Sequence, residues 1–249
     1  MKGDADPGER VTTGNKDLDE MLGGGIPARH VVVLAGPAGA GKTITTLQFM
    51  WANLQAGKKC MFVSASDDDR AILENARKFG WDLKPYIDSK SLVLLKLKLV
   101  EVEHGLVSDL QQQLPKLIRQ AKPDILVVDS ITEFDDLCAS DLERRGRLLY
   151  LREVIKEVGA TAIITAEADT ARGGMATKYG IAEYVADGFI LHSRFLSEDY
   201  SQLLYVIQIM KMRWTGHSKE TRAYNITGKG IQISSPLYTI LATSGKQRV

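Results

Sequence analysis

VVVLAGPAGAGKTITT, residues 31–46, is the stretch that decides the fold. A run of β-branched and apolar residues reads as a buried strand. A glycine-rich turn follows, and then an apolar segment with helical spacing. The turn comprises Gly36, Pro37, Ala38, Gly39, Ala40, Gly41, Lys42 and Thr43, which is G-x-x-x-x-G-K-[ST] between a strand and a helix. The chemistry explains the residue types. A phosphate chain needs backbone N–H groups pointing inward, and side chains at the glycines obstruct that approach. The following helix adds its partial positive N-terminus, starting at Lys42, Thr43 and Ile44. Lys42 reaches β- and γ-phosphates, and the Thr43 hydroxyl is a ligand for Mg²⁺. The expectation is a nucleotide phosphate site.

Composition bounds the rest. A chain of 249 residues with 44% hydrophobic content fits one large α/β domain. A polar tail is expected over 1–10, the domain over 11–235 and a second tail over 236–249. The net charge of +1 gives no bulk case for nucleic acid or a membrane surface. Apolar runs are broken by Lys or Gly well short of a membrane span. Cys60 and Cys138 lie in or beside apolar runs, and no leader-like segment opens the sequence. They read as reduced, and the protein as cytoplasmic with no membrane partner.

Working outward from the loop, Asn15 or Asp17 is placed to cap a short helix that ends at Gly23-Gly24-Gly25. Beyond the loop, residues 43–54 read as a helix, 59–64 as a strand, 70–79 as a helix and 91–99 as a strand. Residues 106–121 read as one helix with a Pro115 kink, and 124–129 as a strand. Residues 141–158 read as a helix with Leu148, Leu149, Leu151 and Val154 inward, and 160–166 as a strand. Residues 189–196 and 203–213 read as a hairpin, and 231–234 as a last strand. Strand–helix alternation implies a mostly parallel sheet with helices on both faces, turning antiparallel in a C-terminal hairpin. Ligands of such sheets sit beyond strand C-termini, where every candidate polar group here is expected.

Those candidates are few. Asp129 ends an apolar strand, as an acid that orients Mg²⁺ or its water should, with Ser130 beside it. Asp67 and Asp68 follow strand 59–64, and either suits alignment of an attacking water. The same residues also suit the cap of the next helix. Glu167 ends strand 160–166, in reach of a γ-phosphate. With Lys42, the catalytic candidates are therefore Asp67, Asp129 and Glu167. Lys211 and Arg213 stand two apart, so both project from one strand face. Far from the loop in sequence, they suit a neighbouring subunit's polyphosphate, followed by His217 and Lys219. Four scattered histidines and two distant cysteines give no further metal-ligand spacing.

The sequence resembles the KaiC-like branch of the RecA/RadA ATPase superfamily over nearly its whole length. TGNKDLDEMLGGGIP, NARKFGWDLKPYI, VVDSIT, GIAEYVADGFI, KMRWTGHSK and ITGKGI are similar to family motifs, in the family's order. The resemblance implies a RecA-like P-loop NTPase core that binds ATP and Mg²⁺. It also implies a homo-oligomer, a ring (hexameric among them) or a filament, with ATP between subunits. By position, Gly36–Thr43 hold phosphates and Mg²⁺, and Asp129 is the second acidic motif. Lys211, Arg213, His217 and Lys219 reach the next subunit's nucleotide. Two departures stand out. Where the family has two adjacent glutamates, the second of which activates water, this chain has Ser66 and Asp67. A serine is no base at neutral pH, and an aspartate is one methylene short, so slow hydrolysis is expected. Where the family has Gly, this chain has Trp214.

Two alternatives remain. A RadA-paralogue reading makes single-stranded DNA the partner, through 133–141 and 169–180. The first segment carries Glu133, Asp135, Asp136 and Asp141, which oppose phosphates. The second carries Arg172, Gly173, Gly174 and Lys178, which suit them. The opposed signs disfavour DNA. The other alternative, motivated by Ser66-Asp67, is a non-hydrolysing nucleotide-sensing scaffold for an unknown protein partner.

Overall fold

The computed structural model describes residues 8–97, 99–102, 105–108, 113–169, 175–196 and 202–236. A nine-stranded sheet runs through the described chain. Its parallel part is β10 (Gly188–Leu196), β3 (Val31–Gly36), β9 (Thr161–Glu167), β8 (Ile125–Asp129), β4 (Cys60–Ser64) and β5 (Leu92–Lys96), in that spatial order. Three antiparallel strands extend it past β10: β11 (Leu203–Met212), β12 (Arg222–Thr227) and β13 (Gly230–Pro236). Two short ribbons stand apart, β1 (Arg10–Val11) with β2 (Ile26–Pro27), and β6 (Leu99–Val102) with β7 (Gly105–Ser108).

Alternation along the parallel strands splits the core in two. Val32, Leu34, Phe62, Val127 and Ile163 face one side, where they meet α2 (Lys42–Gln55) and α3 (Asp69–Lys78). Val33, Ala35, Val63, Val128 and Ile164 face the other, against α5 (Leu114–Ala121) and α7 (Asp141–Val158). A parallel sheet covered on both faces explains why these strands read as unbroken apolar runs. At the front edge, Asn15 Oδ1 accepts from the N–H groups of Asp17 and Leu18 and caps α1 (Lys16–Met21). The remaining helices are short: α4 (Lys84–Asp88), α6 (Thr132–Asp135) and α8 (Ala182–Val185).

The architecture agrees with the expected fold class, and several elements differ from the sequence reading. Of the helix expected over 106–121, residues 114–121 form α5 and 106–108 belong to strand β7, while 109–112 lie outside the described residues. Pro115 lies in the first turn of α5 and starts the helix instead of kinking it, because its missing N–H costs nothing there. In α7, Leu148, Leu151, Val154 and Ile155 are buried, but Leu149 is exposed; it falls off the inward stripe by one position. Strand β12, not among the elements expected from the sequence, lies between β11 and β13 with Ala223 and Tyr224 buried.

One buried acid joins the layers. Asp187, at the entrance to β10, accepts from the Val31 N–H at 3.0 Å. It also pairs with Arg152 at 2.9 Å and Lys156 at 2.6 Å, both on α7. Burial opposes its ionisation, but these donors win and hold its pKa down at about 2. Its stabilising contribution is therefore complete above the unfolded value of about 3.9 and is lost as pH falls toward 2. Asp187→Asn is expected to destabilise the fold by about 2–4 kcal/mol at pH 7, since it removes the buried carboxylate that Arg152 and Lys156 share. Urea unfolding at pH 7 and pH 3 checks this; the difference between wild type and variant should shrink at pH 3.

Candidate phosphate-binding site

Between β3 and α2 the chain turns with Gly39 at φ 77° and Gly41 at φ 78°. Both are left-handed conformations that L side chains resist, and Gly41 is the N-cap of α2. A Cβ on Gly41 would also lie 3.0 Å from Ile231 and 3.1 Å from Ile226, so β12 and β13 back the loop closely. Most of the loop's carbonyls meet protein donors. Gly36 O accepts from Lys42 Nζ at 2.8 Å and from the Ala168 N–H at 3.2 Å. Pro37 O accepts from Lys42 Nζ at 3.1 Å and the Ala40 N–H at 3.2 Å. Ala38 O accepts from Arg194 at 3.2 Å, and Gly41 O from the Thr45 N–H at 2.9 Å. With the carbonyls bound to protein donors, the first-turn N–H groups of α2, including those of Thr43 and Ile44, mark the side suited to an anion.

Beside the loop stands an acidic set. Thr43 Oγ1 donates to Asp129 Oδ2 at 2.6 Å, and Thr165 Oγ1 donates to the other carboxylate oxygen. Asp129 is buried at the end of β8. Glu167 ends β9 level with Gly36 across the ladder, and is exposed. Burial lowers the pKa of Lys42, and the carboxylates of Asp129, Glu167 and Glu133 oppose that drop in this order. Glu133 was missed as a site residue. It accepts from Ser130 Oγ at 2.6 Å, and the Ser-x-x-Glu spacing was the available signal. Among the described residues, no group of three or more His, Cys, Asp or Glu could cage a metal. A hydroxyl and one carboxylate suit Mg²⁺, which keeps waters and shares phosphate oxygens.

Asp67 and Asp68 part ways. Asp68 accepts from the Ala71 N–H at 2.8 Å and caps α3, so the capping explanation holds for it. Asp67 is half-buried, three residues beyond Ser64, which pairs with Asp129 in the ladder; its N–H donates to Ser64 Oγ at 2.9 Å.

The distant cations lie elsewhere. Lys211 and Arg213 were expected at a strand C-terminus and serving a neighbouring subunit; they lie at the C-terminal end of β11, but β11 runs antiparallel, so this end is not the rim that carries the loop. Lys211 pairs with Phe189, which pairs with Val33, and the Arg213 N–H donates to Asp187 O at 2.9 Å. In ladder register Lys211 is level with Val33 and Arg213 with the start of β3, roughly 10 and 16 Å from Gly36 along the strands at ~3.3 Å per residue, toward the other end of the sheet. Lys211 Nζ donates to Glu183 O at 2.8 Å and Ala186 O at 2.7 Å, and Arg213 to Tyr184 O at 3.3 Å. Burial and neighbouring Arg213 lower the pKa of Lys211. Between Arg213 and the pair His217–Lys219 (3.1 Å), Trp214 is 94% exposed at φ 64°. Its left-handed backbone explains why glycine suits this position.

Of the two loops considered for DNA, Arg172, Gly173 and Gly174 lie outside the described residues. Lys178 donates to both oxygens of Asp136, at 2.8 and 3.0 Å. That cation of the second loop is thus paired with an acid of the first. Among the described residues no helix is long and apolar enough to cross a membrane.

Known proteins place this geometry. A family model described as "ATPase: KaiC" matches residues 11–238. A UPF0273 protein of Pyrococcus horikoshii is 33% identical over 237 residues, covering 89% of this chain and 92% of its own. The circadian clock oscillator protein KaiC of Synechococcus elongatus is 29% identical over 231 residues, which are 90% of this chain and 44% of that longer protein. Among solved structures, a KaiC-like protein from P. horikoshii superimposes with a TM-score of 0.78 at 27% identity, covering 91% of this chain and 99% of its own. The glycine loop with its flanking acids, the RecA-like sheet and this kinship agree: the chain belongs to the KaiC ATPase family.

Proposed function

We propose that this chain is an ATPase of slow turnover that binds Mg²⁺-ATP between subunits of a homo-oligomer, acting in the cytoplasm as a single domain over residues 11–235. The observation that carries the reading is the division of the site. The phosphate loop and Asp129 stand at one end of the sheet, while Lys211 and Arg213 stand at the other. A single copy cannot bring these cations to its own loop, whereas a neighbour stacked head to tail can.

In this reading the loop Gly36–Thr43 and Ile44 hold the triphosphate by backbone N–H groups, of which Pro37 has none, and Lys42 turns its ammonium to the β- and γ-oxygens. Thr43 and Asp129 hold Mg²⁺, which when bound neutralises charge on those oxygens. Asp67 aligns the attacking water, and Glu167, level with Gly36, supports the γ-phosphate end. Lys211, Arg213, His217 and Lys219 complete the next copy's site. The Ser66-Asp67 pair makes hydrolysis slow, and the same pair favours a second reading, a nucleotide-sensing scaffold for a protein partner. Pairing of Lys178 with Asp136 counts against single-stranded DNA as that partner.

Lys42→Ala should abolish measurable Mg²⁺-ATP affinity in titration calorimetry. Asp67→Asn should cut steady-state phosphate release at least tenfold and leave ATP affinity within twofold; unchanged release removes Asp67 as the base, and Glu167→Gln is then the variant that should fall. Arg213→Ala and Lys42→Ala should each be inactive alone and regain part of the wild-type rate when mixed. No recovery in a mixture that light scattering shows to be co-assembled would sink the shared site.

A further inference from the structure

On the side of the loop away from the phosphates, two polar rings meet under one carbonyl. His192 of β10 is fully buried and Tyr224 of β12 nearly so. Tyr224 Oη donates to Ala40 O at 2.6 Å, and His192 Nδ1 lies 2.8 Å from the same oxygen. The two side chains also touch, with Oη 3.1 Å from Nδ1 and ring centroids 4.8 Å apart. A carbonyl only accepts, so Nδ1 carries the proton and Nε2 is a bare acceptor. That Nε2 is buried without a hydrogen-bond partner. The ring's polar contacts are therefore all made through Nδ1, beneath the loop. Burial pushes the His192 pKa down to about 4, with the Lys42 charge adding to the drop, so the ring is neutral near pH 7.

The consequence follows from peptide geometry. In a trans peptide the C=O and the next N–H point to opposite sides. Holding the Ala40 carbonyl back against His192 and Tyr224 turns the Gly41 N–H forward, away from the rings. Gly41, in a left-handed conformation, has the freedom to let this peptide flip when nothing holds it. A flipped carbonyl would face an anion with its negative end. The space is tight: a Cβ on Gly36 would lie 2.9 Å from both Cβ and O of His192, so the ring's strand abuts the loop directly.

We propose that His192 and Tyr224 are positioning residues that latch the Ala40–Gly41 peptide, so that the Gly41 N–H is presented to a nucleotide's phosphates before they arrive. The latch rests on the nucleotide-binding reading above. It gives the antiparallel extension a purpose, because Tyr224 reaches the loop only through β12.

The test uses the full-length protein with Mg²⁺ at pH 7.5. ATP and ADP are titrated by calorimetry, adenosine by ligand-observed NMR, and thermal unfolding is recorded for each variant. Tyr224→Phe keeps the ring and removes one donor. His192→Leu keeps the bulk without a donor, and His192→Asn restores an amide N–H near the place of Nδ1. Tyr224→Phe and His192→Leu should each weaken ATP and ADP binding about threefold to tenfold, the worth of one hydrogen bond. Adenosine binding should not change, and His192→Asn should recover most of the loss at position 192. Wild-type affinity for ATP with variants equally tight overturns the latch and leaves the nucleotide reading standing. Losses that affect adenosine equally, track the unfolding temperature and are not rescued by Asn also overturn it. A wild type that binds neither nucleotide removes the nucleotide reading, and the latch falls with it.

Discussion

From the end of β3 into α2, the carbonyls of Gly36, Pro37, Ala38, Ala40 and Gly41 turn toward protein donors, and much of the molecule serves that arrangement. A backbone cradle for an anion works only if the opposite ends of its peptides are held, because a peptide dipole free to rotate does not discriminate. Here Lys42 holds Gly36 O and Pro37 O, Arg194 holds Ala38 O, and His192 with Tyr224 holds Ala40 O. Three of these donors come from β10 and β12, well along the chain from the loop. The C-terminal antiparallel strands are thus more than an edge to the sheet. Ile226 and Ile231 close the space behind Gly41, where a Cβ would press on both side chains.

The parallel sheet sets the second requirement, that acids converge beside the cradle. Parallel strands end on one rim, where Gly36 pairs with Glu167 and Ser64 with Asp129, the first pair two residues further along the ladder. Asp129 receives the hydroxyls of Thr43 and Thr165 and is fixed before any ligand is considered. The buried Lys42 ammonium stands among the carboxylates of Asp129, Glu167 and Glu133, which oppose the loss of its charge on burial. The opposite rim has its own anchor. Asp187 binds the start of β3 to α7, and the Arg213 N–H is bound to the Asp187 carbonyl. The cations expected to act on another copy are therefore mounted beside that anchor.

The strand–loop–helix around 31–46 was legible because its residue types have few other uses. Unbroken apolar strands revealed a covered parallel sheet, since burial on both faces removes alternation. Asp129 and Glu167 could be placed because parallel strands carry their last residues to one rim. The β6–β7 ribbon was not legible, because a short run of Leu, Val and Glu fits a helix or a strand equally well. Nor was β12, whose pairing depends on neighbours distant in sequence. Ser66–Asp69 was legible as a helix start, but the division of labour between Asp67 and Asp68 was not; a single hydrogen bond to the Ala71 N–H separates them.

By itself, the sequence determined the strand, glycine turn and helix of 31–46, the α/β class and the family likeness, because these rest on local residue types and short spacings. Only the tertiary structure decided which end of the sheet each charge occupies. The direction of β11 is a long-range fact, and it sends Lys211 and Arg213 away from their own loop. The same holds for His192 and Tyr224, which have no motif and gain meaning only where two strands bring them under one carbonyl. Local chemistry is written in neighbours along the chain; orientation is written in pairings across it.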